Sequence, residues 1–387
     1  MLRLLGGEES RPYDHIYISR KLRPVGGKLP ISLRSVPFFV RSKVDHILEK
    51  GSVMTLPMVG ITMGDPTGIG PEVIVKALST EEPFRVCRPV VFGDSGVLQE
   101  TIERLHLSVG VEICETIPLE GTVPRKISLV PISQLEITSL RFGRPDRKCG
   151  EAMLKYIEEA VKWVLAGKLD AITTCPVNKQ AINQTGHPFS GHTEFLAHLA
   201  QVPSVAMMFL GSRWNVVLVT THLPLKEVSQ WITKERVLTT IQLTEEGLRK
   251  FLGIGHPRIA VLGLNPHSGE EGLLGKEEKR EILPAIEEAR DRGFNVQGPF
   301  PADSFFDLSN CLGPFDAVIP MYHDQGLIPI KMFNFREAVN FTLGLPFVRT
   351  SVAHGTAYDI AGKGIADPLN LIRAIQTASH LSKSKIH

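Results

Sequence analysis

Short apolar runs alternate with longer amphipathic stretches along most of the chain, beginning at Pro57. The runs are rich in β-branched residues and have the length of strands; they cover residues 58–63, 90–92, 171–174, 205–210, 216–220, 259–264 and 317–320. Between them, apolar residues recur every three or four positions, most regularly over residues 151–165 and 234–251, which predicts helices. This alternation predicts an α/β fold with a parallel or mixed sheet that helices cover on both faces.

The composition is typical of a globular α/β protein of about two domains. The chain has 387 residues, of which 43% are hydrophobic, and 34 glycines and 27 prolines supply many turns. We place a first α/β domain at residues 54–186 together with 346–387, and a second at residues 187–345, with a cleft between them.

The charge is nearly balanced, since 43 Lys and Arg minus 41 Asp and Glu leaves +2. Without a large positive field, neither nucleic acid nor a membrane surface is an expected partner. Residues 1–53 hold ten basic and five acidic side chains and show no clean periodicity, so we interpret them as an N-terminal extension of uncertain order. A translation start at Met54 or Met58 is the plainest hypothesis for this extension.

The sequence shows neither an export signal nor a membrane span. No apolar run approaches the roughly 18 residues that a membrane helix needs, and the first residues lack an apolar signal segment, so we expect a cytoplasmic protein. Five cysteines at wide spacing, with no C-x-x-C pair, argue against a disulfide framework and a thiolate zinc cluster. Any metal must therefore be held by other ligands.

A glycine-rich segment at residues 64–70 follows the first predicted strand and leads into a helix that Pro71 can begin. It is not a Walker loop because no Lys-Ser or Lys-Thr pair follows, and it is not G-x-G-x-x-G because Val73 occupies the third glycine position. A plain strand-to-helix turn and an anion site at a helix N-terminus are both open interpretations.

Three of the 13 histidines follow predicted strands at short distance. His222 follows VVLVTT, His267 follows IAVLGLNP, and His323 follows DAVIPMY. Ligands of open α/β sheets bind beyond the carboxyl ends of strands, so these imidazoles are well placed to converge on a divalent metal with an open fourth position. Three independent strand-end histidines are the alternative. Asp324 and Ser268, each next to one of these histidines, are available as hydrogen-bond partners of the imidazoles.

A second group of residues has the chemistry of an oxyanion or phosphate site. His192 and Thr193 open a predicted helix, and Lys331, Asn340 and Arg349 follow the third histidine within 26 residues. Cationic and neutral donors of this kind bind a phosphomonoester or a carboxylate. Ordinary surface cations are the alternative interpretation for the lysine and the arginine.

These motifs resemble the 4-hydroxythreonine-4-phosphate dehydrogenase family, which are oxidoreductases of pyridoxal phosphate biosynthesis. The matching segments are MVGITMGDPTGIGPEV, PFSGHTEFLAHL, VVLVTTHLPL, GLNPHSGEEGLLGKEE, GPFPADSFF, VIPMYHDQGLIPIK and AVNFTLGLPFVRTSVAHGTAYDIAGKG. They occur in the family's order from about residue 57 to the C-terminus, and the extension lies outside the match.

The resemblance implies NAD-dependent and metal-dependent oxidation and decarboxylation of 4-phosphooxy-L-threonine to 3-amino-2-oxopropyl phosphate. It implies a homodimer with shared active sites, in which His222, His267 and His323 bind one divalent ion (Zn²⁺, Mg²⁺ or Co²⁺) and one of these ligands comes from the partner subunit. The substrate would lie on His192, Thr193, Lys331, Asn340 and Arg349. Lys331 and Asp303 are the candidate catalytic groups.

The resemblance also implies the two-domain fold of the isocitrate and isopropylmalate dehydrogenases, with mixed sheets, an interdomain cleft and the first domain on the NAD side. The segment from His354 to Asp367 looks like the loop with which those enzymes hold NAD, and its candidate contacts are His354, Gly355, Ala357, Asp359 and Asp367. An acidic residue near the adenosine ribose favours NAD over NADP, which is the role that we expect for Asp359. A purely structural glycine-rich loop is the alternative.

Two departures from the family pattern leave the substrate open. Ala353 occurs where the biosynthetic enzymes usually have Asp, and Asn178 where they often have His. A related branch oxidises phosphorylated sugar acids such as 4-phospho-D-threonate or 4-phospho-D-erythronate, and this is the first alternative function. A metal-dependent hydrolase and a non-catalytic phosphometabolite sensor are alternatives from other classes.

Overall fold

Twelve strands form one mixed sheet in the part of the chain that the structure describes. The computed structural model describes residues 56–115, 123–187, 191–306, 315–334 and 337–383, so the extension predicted at 1–53 lies outside the described residues. The strands are β1 Met58–Thr62, β2 Arg88–Asp94, β3 Gly110–Ile113, β4 Lys126–Ser133, β5 Ala171–Thr174, β6 Ala206–Leu210, β7 Asn215–Leu218, β8 Arg258–Leu262, β9 Asn295–Phe300, β10 Ala317–Ile319, β11 Val339–Leu343 and β12 Val348–Ser351.

The strands lie in the order β3-β4-β2-β1-β5-β12-β11-β6-β7-β10-β8-β9. The six strands at one side of the sheet, β3, β4, β2, β1, β5 and β12, are mutually parallel. The four strands at the other side, β7, β10, β8 and β9, are also parallel to one another. Between them, β11 is antiparallel to both β12 and β6, and β6 is antiparallel to β7. The centre of the sheet is therefore the place where strand direction changes.

Eleven α-helices accompany the sheet in the described ranges. They are α1 Gly70–Leu78, α2 Ser95–Arg104, α3 Arg147–Leu165, α4 Lys179–Asn183, α5 His192–Leu199, α6 Leu225–Trp231, α7 Lys234–Leu252, α8 Leu283–Asp291, α9 Ala302–Phe305, α10 His323–Asn334 and α11 Leu369–Lys383. None of these helices combines the length and the apolar character that a bilayer crossing requires.

Local chemistry fixes the ends of the longer helices. The Asp146 carboxylate accepts a hydrogen bond from the Cys149 amide at 3.0 Å and caps α3, and the Thr233 hydroxyl caps α7 in the same way. Helix α7 ends at Gly253, whose φ of 65° is left-handed and therefore suited to glycine. Both helices have 19 residues and contain the amphipathic stretches predicted from the sequence.

Alternate residues of the strands pack into different hydrophobic clusters, as expected for a sheet that is covered on both faces. One large cluster takes Met208 of β6 and Val217 of β7 together with residues of α1, α7, α8 and α11. On the opposite face, Met207 and Val216 pack with α10 in a smaller cluster, and Met58 packs with α3 and α5 in another. The central strands between these two smaller clusters carry the candidate site.

The seven predicted strands and two predicted helices are present, and the prediction of a mixed, two-sided α/β sheet is confirmed. The sheet runs without a break across the predicted domain boundaries near residues 186 and 346, and the described residues belong to one compact unit. The division into two domains with a cleft stays a prediction.

Candidate active site

Strand register places four side chains in one row across the centre of the sheet. Thr174 of β5 is opposite Ser351 of β12, Ser351 is opposite Asn340 of β11, and Asn340 is opposite Phe209 of β6. Cross-strand neighbours point to the same face, and the smaller clusters lie on this face. The row is therefore the floor of a space that the large cluster does not fill.

A cavity of about 310 Å³ lies over this row, and we call it the central cavity. Its polar lining includes most of the predicted substrate and metal residues: His192, Thr193, His222, His323, Lys331, Asn340, Arg349, His354 and Gly355. Three side chains with cationic groups, Lys179, Lys331 and Arg349, face one carboxylate, Glu194. This balance favours an anionic ligand.

Arg349 is the most buried charge of the central cavity, with 1% of its surface exposed. Its Nη1 donates to the Thr342 hydroxyl at 2.9 Å and its Nη2 to the Thr174 hydroxyl at 2.6 Å, while its buried Nε has no hydrogen-bond partner. Burial lowers the pKa of the guanidinium to about 9, so the group still carries its charge at neutral pH. A buried cation whose hydrogen-bond partners are all neutral is suited to an anion from outside the chain.

Asn340 provides a second buried polar group without a partner. Its Oδ1 atom is buried and makes no hydrogen bond, although 9% of the residue is exposed to the central cavity. Lys331 of α10 and Thr193 of α5 complete the predicted anion-binding set, and Thr193 is buried. All five predicted substrate residues thus line one space.

His192 begins α5, as the sequence predicts, and is enclosed in the wall of the central cavity. Burial, and to a lesser degree the charges of Arg349 and Lys179, lower the pKa of its imidazole well below 6.5. The ring is therefore neutral at pH 7, and it can donate one hydrogen bond and accept another.

His222 and His323 come together at the edge of the central cavity, with ring centroids 5.6 Å apart. Burial, and to a lesser degree the neighbouring Lys179 and His323, lowers the pKa of His222 and favours the neutral imidazole that binds metals. The Nδ1 atom of His323 is 2.7 Å from Oδ1 of Asp324, which confirms the predicted partner and leaves Nε2 free for a ligand. Two imidazole rings at this separation can share an ion with bonds of about 2 Å.

His267 does not join the other two histidines within one chain. It follows β8, whose neighbour is β10, but the loop carries its side chain to the surface, where 61% of it is exposed. No group of three or more His, Cys, Asp or Glu side chains in the described ranges could hold a metal ion. Within one subunit, therefore, His222 and His323 converge as the strand ends predict, and His267 does not.

The surroundings of His267 differ from those expected. Its Nδ1 atom is 2.7 Å from Oε1 of Glu270, whereas the hydroxyl of Ser268, the expected partner, donates to the Pro299 carbonyl at 3.3 Å. The hydrogen bond from His267 to the Glu270 carboxylate is the main cause that raises the pKa of this imidazole, and the nearby carboxylate of Asp303, on α9, adds to it. Asp303 is exposed and does not line the central cavity, so it lies beside His267 and apart from Lys331.

Five consecutive residues around His267 have left-handed backbone angles, with φ between 41° and 80° over residues 267–271. Only one of them is glycine, and a left-handed conformation costs other residues roughly 1–2 kcal/mol each. Strain of this size persists only where neighbouring groups fix the backbone.

The loop at residues 354–367 begins in the central cavity, where His354 and Gly355 are part of the wall. The buried Nε2 of His354 has no hydrogen-bond partner. Asp359 and Asp367 are exposed, and Ala357 has a left-handed φ of 44°; none of these three lines the cavity. Of the five predicted cofactor residues, two therefore face the predicted substrate residues.

Side chains of helix α1 form hydrogen bonds with the C-terminal end of this loop, at Gly364 and Ala366. The Glu72 carboxylate accepts hydrogen bonds from the Ala366 amide at 2.7 Å and the Gly364 amide at 3.3 Å. The Lys76 ammonium donates to the Glu72 carboxylate and to the carbonyls of the same two loop residues, each at 2.8 Å. Both side chains are largely buried, so this ion pair is less screened than a surface pair.

The glycine-rich segment holds the near end of the loop. Burial raises the pKa of the Asp65 carboxyl, which accepts hydrogen bonds from Thr67 and from the Tyr358 hydroxyl. The Ile69 amide donates to the Thr356 carbonyl at 3.1 Å. Residues 64–70 are all buried, so this helix N-terminus packs against the loop, and the anion-site interpretation has no support.

Two residues of the central cavity were missed from the sequence. Glu194 belongs to one matching segment, whereas Lys179 lies outside all of them. Neither has neighbours of a recognisable spacing, and they meet only because α4 and α5 border the same space. A Cβ atom at Gly191 would lie 2.8 Å from Glu194 Oε2 and 3.7 Å from Lys179 Nζ, so both side chains approach the backbone at this glycine.

The two departures from the family pattern differ in position. The Asn178 side chain caps α4 by accepting from the Ala181 amide at 2.8 Å, and it is not part of the cavity wall. Ala353 does line the cavity and offers only a methyl group there. Ala353 is therefore the departure that can affect substrate choice by contact.

Fold and cavity together define an α/β enzyme that acts on a small anionic metabolite. The chain belongs to the family described as pyridoxal phosphate biosynthetic protein PdxA, which matches residues 85–378.

The relatives that share this fold carry two different names. A 4-hydroxythreonine-4-phosphate dehydrogenase of Desulforapulum autotrophicum is 50% identical over 325 residues, which are 84% of this chain and 95% of that protein. A D-threonate 4-phosphate dehydrogenase of Cupriavidus necator is 44% identical over 334 residues, with 84% and 98% covered. The crystal structure of 4-hydroxythreonine-4-phosphate dehydrogenase from Klebsiella pneumoniae has a TM-score of 0.76 at 37% identity and covers 84% of this chain and 99% of that one.

Proposed function

We propose that this protein catalyses the NAD-dependent oxidation and decarboxylation of 4-phosphooxy-L-threonine to 3-amino-2-oxopropyl phosphate. The observation that carries the proposal is the buried Arg349, which has an unpartnered Nε and lies in a cavity with Lys331 and the unpartnered Oδ1 of Asn340. Membership of the family and the name of a relative at 50% identity support the same substrate class.

In this proposal the cavity residues position the substrate. Arg349 and Lys331 neutralise its phosphate and carboxylate, Thr193 and the neutral His192 add uncharged hydrogen bonds, and Asn340 can accept from a hydroxyl or ammonium group. Fixing both ends of a short molecule holds the carbon between them in one place, which is the main contribution of such residues to the rate.

A divalent ion would lie between His222 and His323 of one subunit and His267 of the partner subunit. When bound, such an ion polarises the substrate hydroxyl and stabilises the negative charge that develops as CO₂ leaves. Zn²⁺, Mg²⁺ and Co²⁺ are the candidates, and neutral imidazoles suit Zn²⁺ well. The depressed pKa of His222 and the carboxylates on Nδ1 of His267 and His323 support this ligand set.

The 354–367 loop would hold NAD, which would supply the hydride acceptor for the oxidation. The loop starts beside the substrate residues and is fastened at both ends by residues 65–76, which supports this role. The exposed Asp359 is the group that we propose to favour the free ribose hydroxyl of NAD over the phosphate of NADP.

A homodimer would complete the site. His267 and Asp303 lie together on an exposed surface, where they are available to the cavity of another subunit. Helix α10, which begins at His323, exposes Ile328 by 58% and Met332 by 76%, and these side chains are one turn apart. An apolar patch beside an incomplete ligand set supports a subunit contact at this place.

The competing function is D-threonate 4-phosphate dehydrogenation. It is favoured by Ala353, and by relatives of that name at 41–44% identity. The two substrates share the phosphate and carboxylate and differ at C2, which carries an ammonium group in one and a hydroxyl in the other.

The test is NADH formation by the purified dimer with each substrate at equal concentration, loaded with one metal at a time. We expect the higher kcat/KM with 4-phosphooxy-L-threonine. A higher value with D-threonate 4-phosphate would assign the chain to the other branch, and no NADH with either substrate would refute a dehydrogenase.

A further inference from the structure

We propose that Glu270 and Glu278 are positioning residues for His267, which they hold in the orientation that a metal shared with a partner subunit requires. The inference rests on the proposed function, because it assigns a purpose to the metal ligand that is remote from the central cavity. It concerns two carboxylates that neither the sequence motifs nor the cavity singles out.

Glu278 is a buried carboxylate, 4% exposed, that fixes the start of the loop before His267. Its Oε1 accepts hydrogen bonds from the amides of Leu264 and Asn265 at 2.9 and 2.7 Å, and its Oε2 accepts from the Asn265 side chain at 2.9 Å. All three groups are donors, so an ionised carboxylate satisfies them, whereas an amide in its place would oppose at least one of them with a second donor.

The same carboxylate limits the shape of the left-handed turn. A side chain at Gly269 would come within 2.7 Å of Glu278 Oε2, so the turn approaches the carboxylate as closely as only glycine allows. Glu278 thus contacts the chain on both sides of His267. This contact explains why four non-glycine residues keep strained angles here, since the surrounding structure fixes the backbone.

Glu270 acts on the ring itself. With Oε1 2.7 Å from Nδ1, it can accept a hydrogen bond from Nδ1, which fixes the direction of the ring and leaves Nε2 as the nitrogen available to an ion. Asp324 has the same relation to His323. His267 and His323, which are remote from each other in one chain, therefore both have Nδ1 next to a carboxylate and Nε2 available to a shared ion.

The experiment titrates Zn²⁺ alone into metal-free full-length protein and measures its Kd with a competing chromophoric chelator. We expect Glu270→Ala and Glu278→Gln each to weaken zinc binding by about 10- to 100-fold, as the loss of such partners does elsewhere. Glu270 is exposed and its replacement leaves the fold intact, so the test stands even where Glu278→Gln folds poorly.

Glu281→Gln is the matched control. Glu281 belongs to the same helical segment, Glu278–Ile282, and its carboxylate also accepts a hydrogen bond from a backbone amide, but from that of Lys234 at 2.7 Å and not from the His267 loop. Its zinc affinity should equal that of the wild type. Variants that bind zinc as tightly as the wild type would overturn the positioning roles alone, whereas a wild-type protein that takes up no zinc would overturn the proposed metal site and this inference with it.

Discussion

At the scale of single residues, Arg349 is a charge that ligand binding can use but that contributes little to the stability of the fold. A buried guanidinium with two threonine hydroxyls as partners stabilises the fold less than an apolar side chain of similar volume would. No carboxylate in the described part of the chain forms an ion pair with it. The residue is therefore explained by an anionic ligand.

Replacing this arginine should separate the two effects. We expect Arg349→Met to change the free energy of unfolding by no more than about 1 kcal/mol and to lower kcat/KM by ~100-fold or more. The ligand loses a directly bound charge, whereas the protein loses two hydrogen bonds to threonine and the longer-range attraction of Glu194. Inorganic phosphate should raise the thermal midpoint of the wild type and leave that of the variant unchanged. Equal stabilisation of both by phosphate would contradict this role.

His192 makes a second prediction at this scale, on pH. Its folded pKa lies well below 6.5, so between the two values the unfolded chain binds a proton that the folded chain does not. The free energy of unfolding should therefore fall as the pH drops below about 6.5, by at most about 1.4 kcal/mol per unit for this group. Denaturant titrations at about pH 7.5 and about pH 5.5 measure this slope, which His192→Gln should reduce. An unchanged slope would show that other groups, such as His222 and His354, are responsible.

At the scale of elements, helix α1 and the 354–367 loop behave as one unit. An exposed ion pair four residues apart on a helix contributes only about 0.3–0.5 kcal/mol. The pair of Glu72 and Lys76 differs because each partner also binds the loop backbone, so five hydrogen bonds depend on two side chains.

Removing the ammonium should therefore loosen the loop and leave the cavity unchanged. We expect Lys76→Met to raise the KM for NAD about tenfold, which corresponds to roughly 1.4 kcal/mol, with little change in the KM for the phosphorylated substrate. Lys162→Met is the control, since Lys162 forms an exposed pair with Glu159 and has no contact with the loop. Steady-state kinetics with each substrate varied in turn checks both. A similar rise in both KM values would point to a general loss of structure.

The limits of prediction from sequence are also clearest at this scale. The apolar strands β1, β5, β7, β8 and β10 follow from hydrophobic pattern, whereas β11 and β12 do not, because their runs are interrupted by Asn340, Thr342 and Arg349. Two of these interruptions, Asn340 and Arg349, line the central cavity, and Thr342 accepts a hydrogen bond from Arg349. Local pattern favours a loop where long-range pairing makes a buried strand.

At the scale of the whole molecule, topology determines what one chain can assemble alone. The parallel strands β7, β10 and β8 end at the same edge, so their order along the sheet supports the expectation of three neighbouring histidines. Sequence could not show that a left-handed turn after β8 takes His267 to the surface, because that path depends on the distant Glu278. The separation of this ring from the other two is what makes a second subunit necessary in the proposal.

The most direct test of the account is activity complementation between two inactive variants. In a shared site, His222→Ala and His267→Ala homodimers each lack a ligand at both sites, whereas a mixed dimer has one intact site. Random mixing should therefore restore roughly one quarter of wild-type NADH formation, because about half of the dimers are mixed and each has one of two sites. Activity that stays absent after mixing, with mixed dimers shown to form by native mass spectrometry, would contradict a metal site shared between subunits.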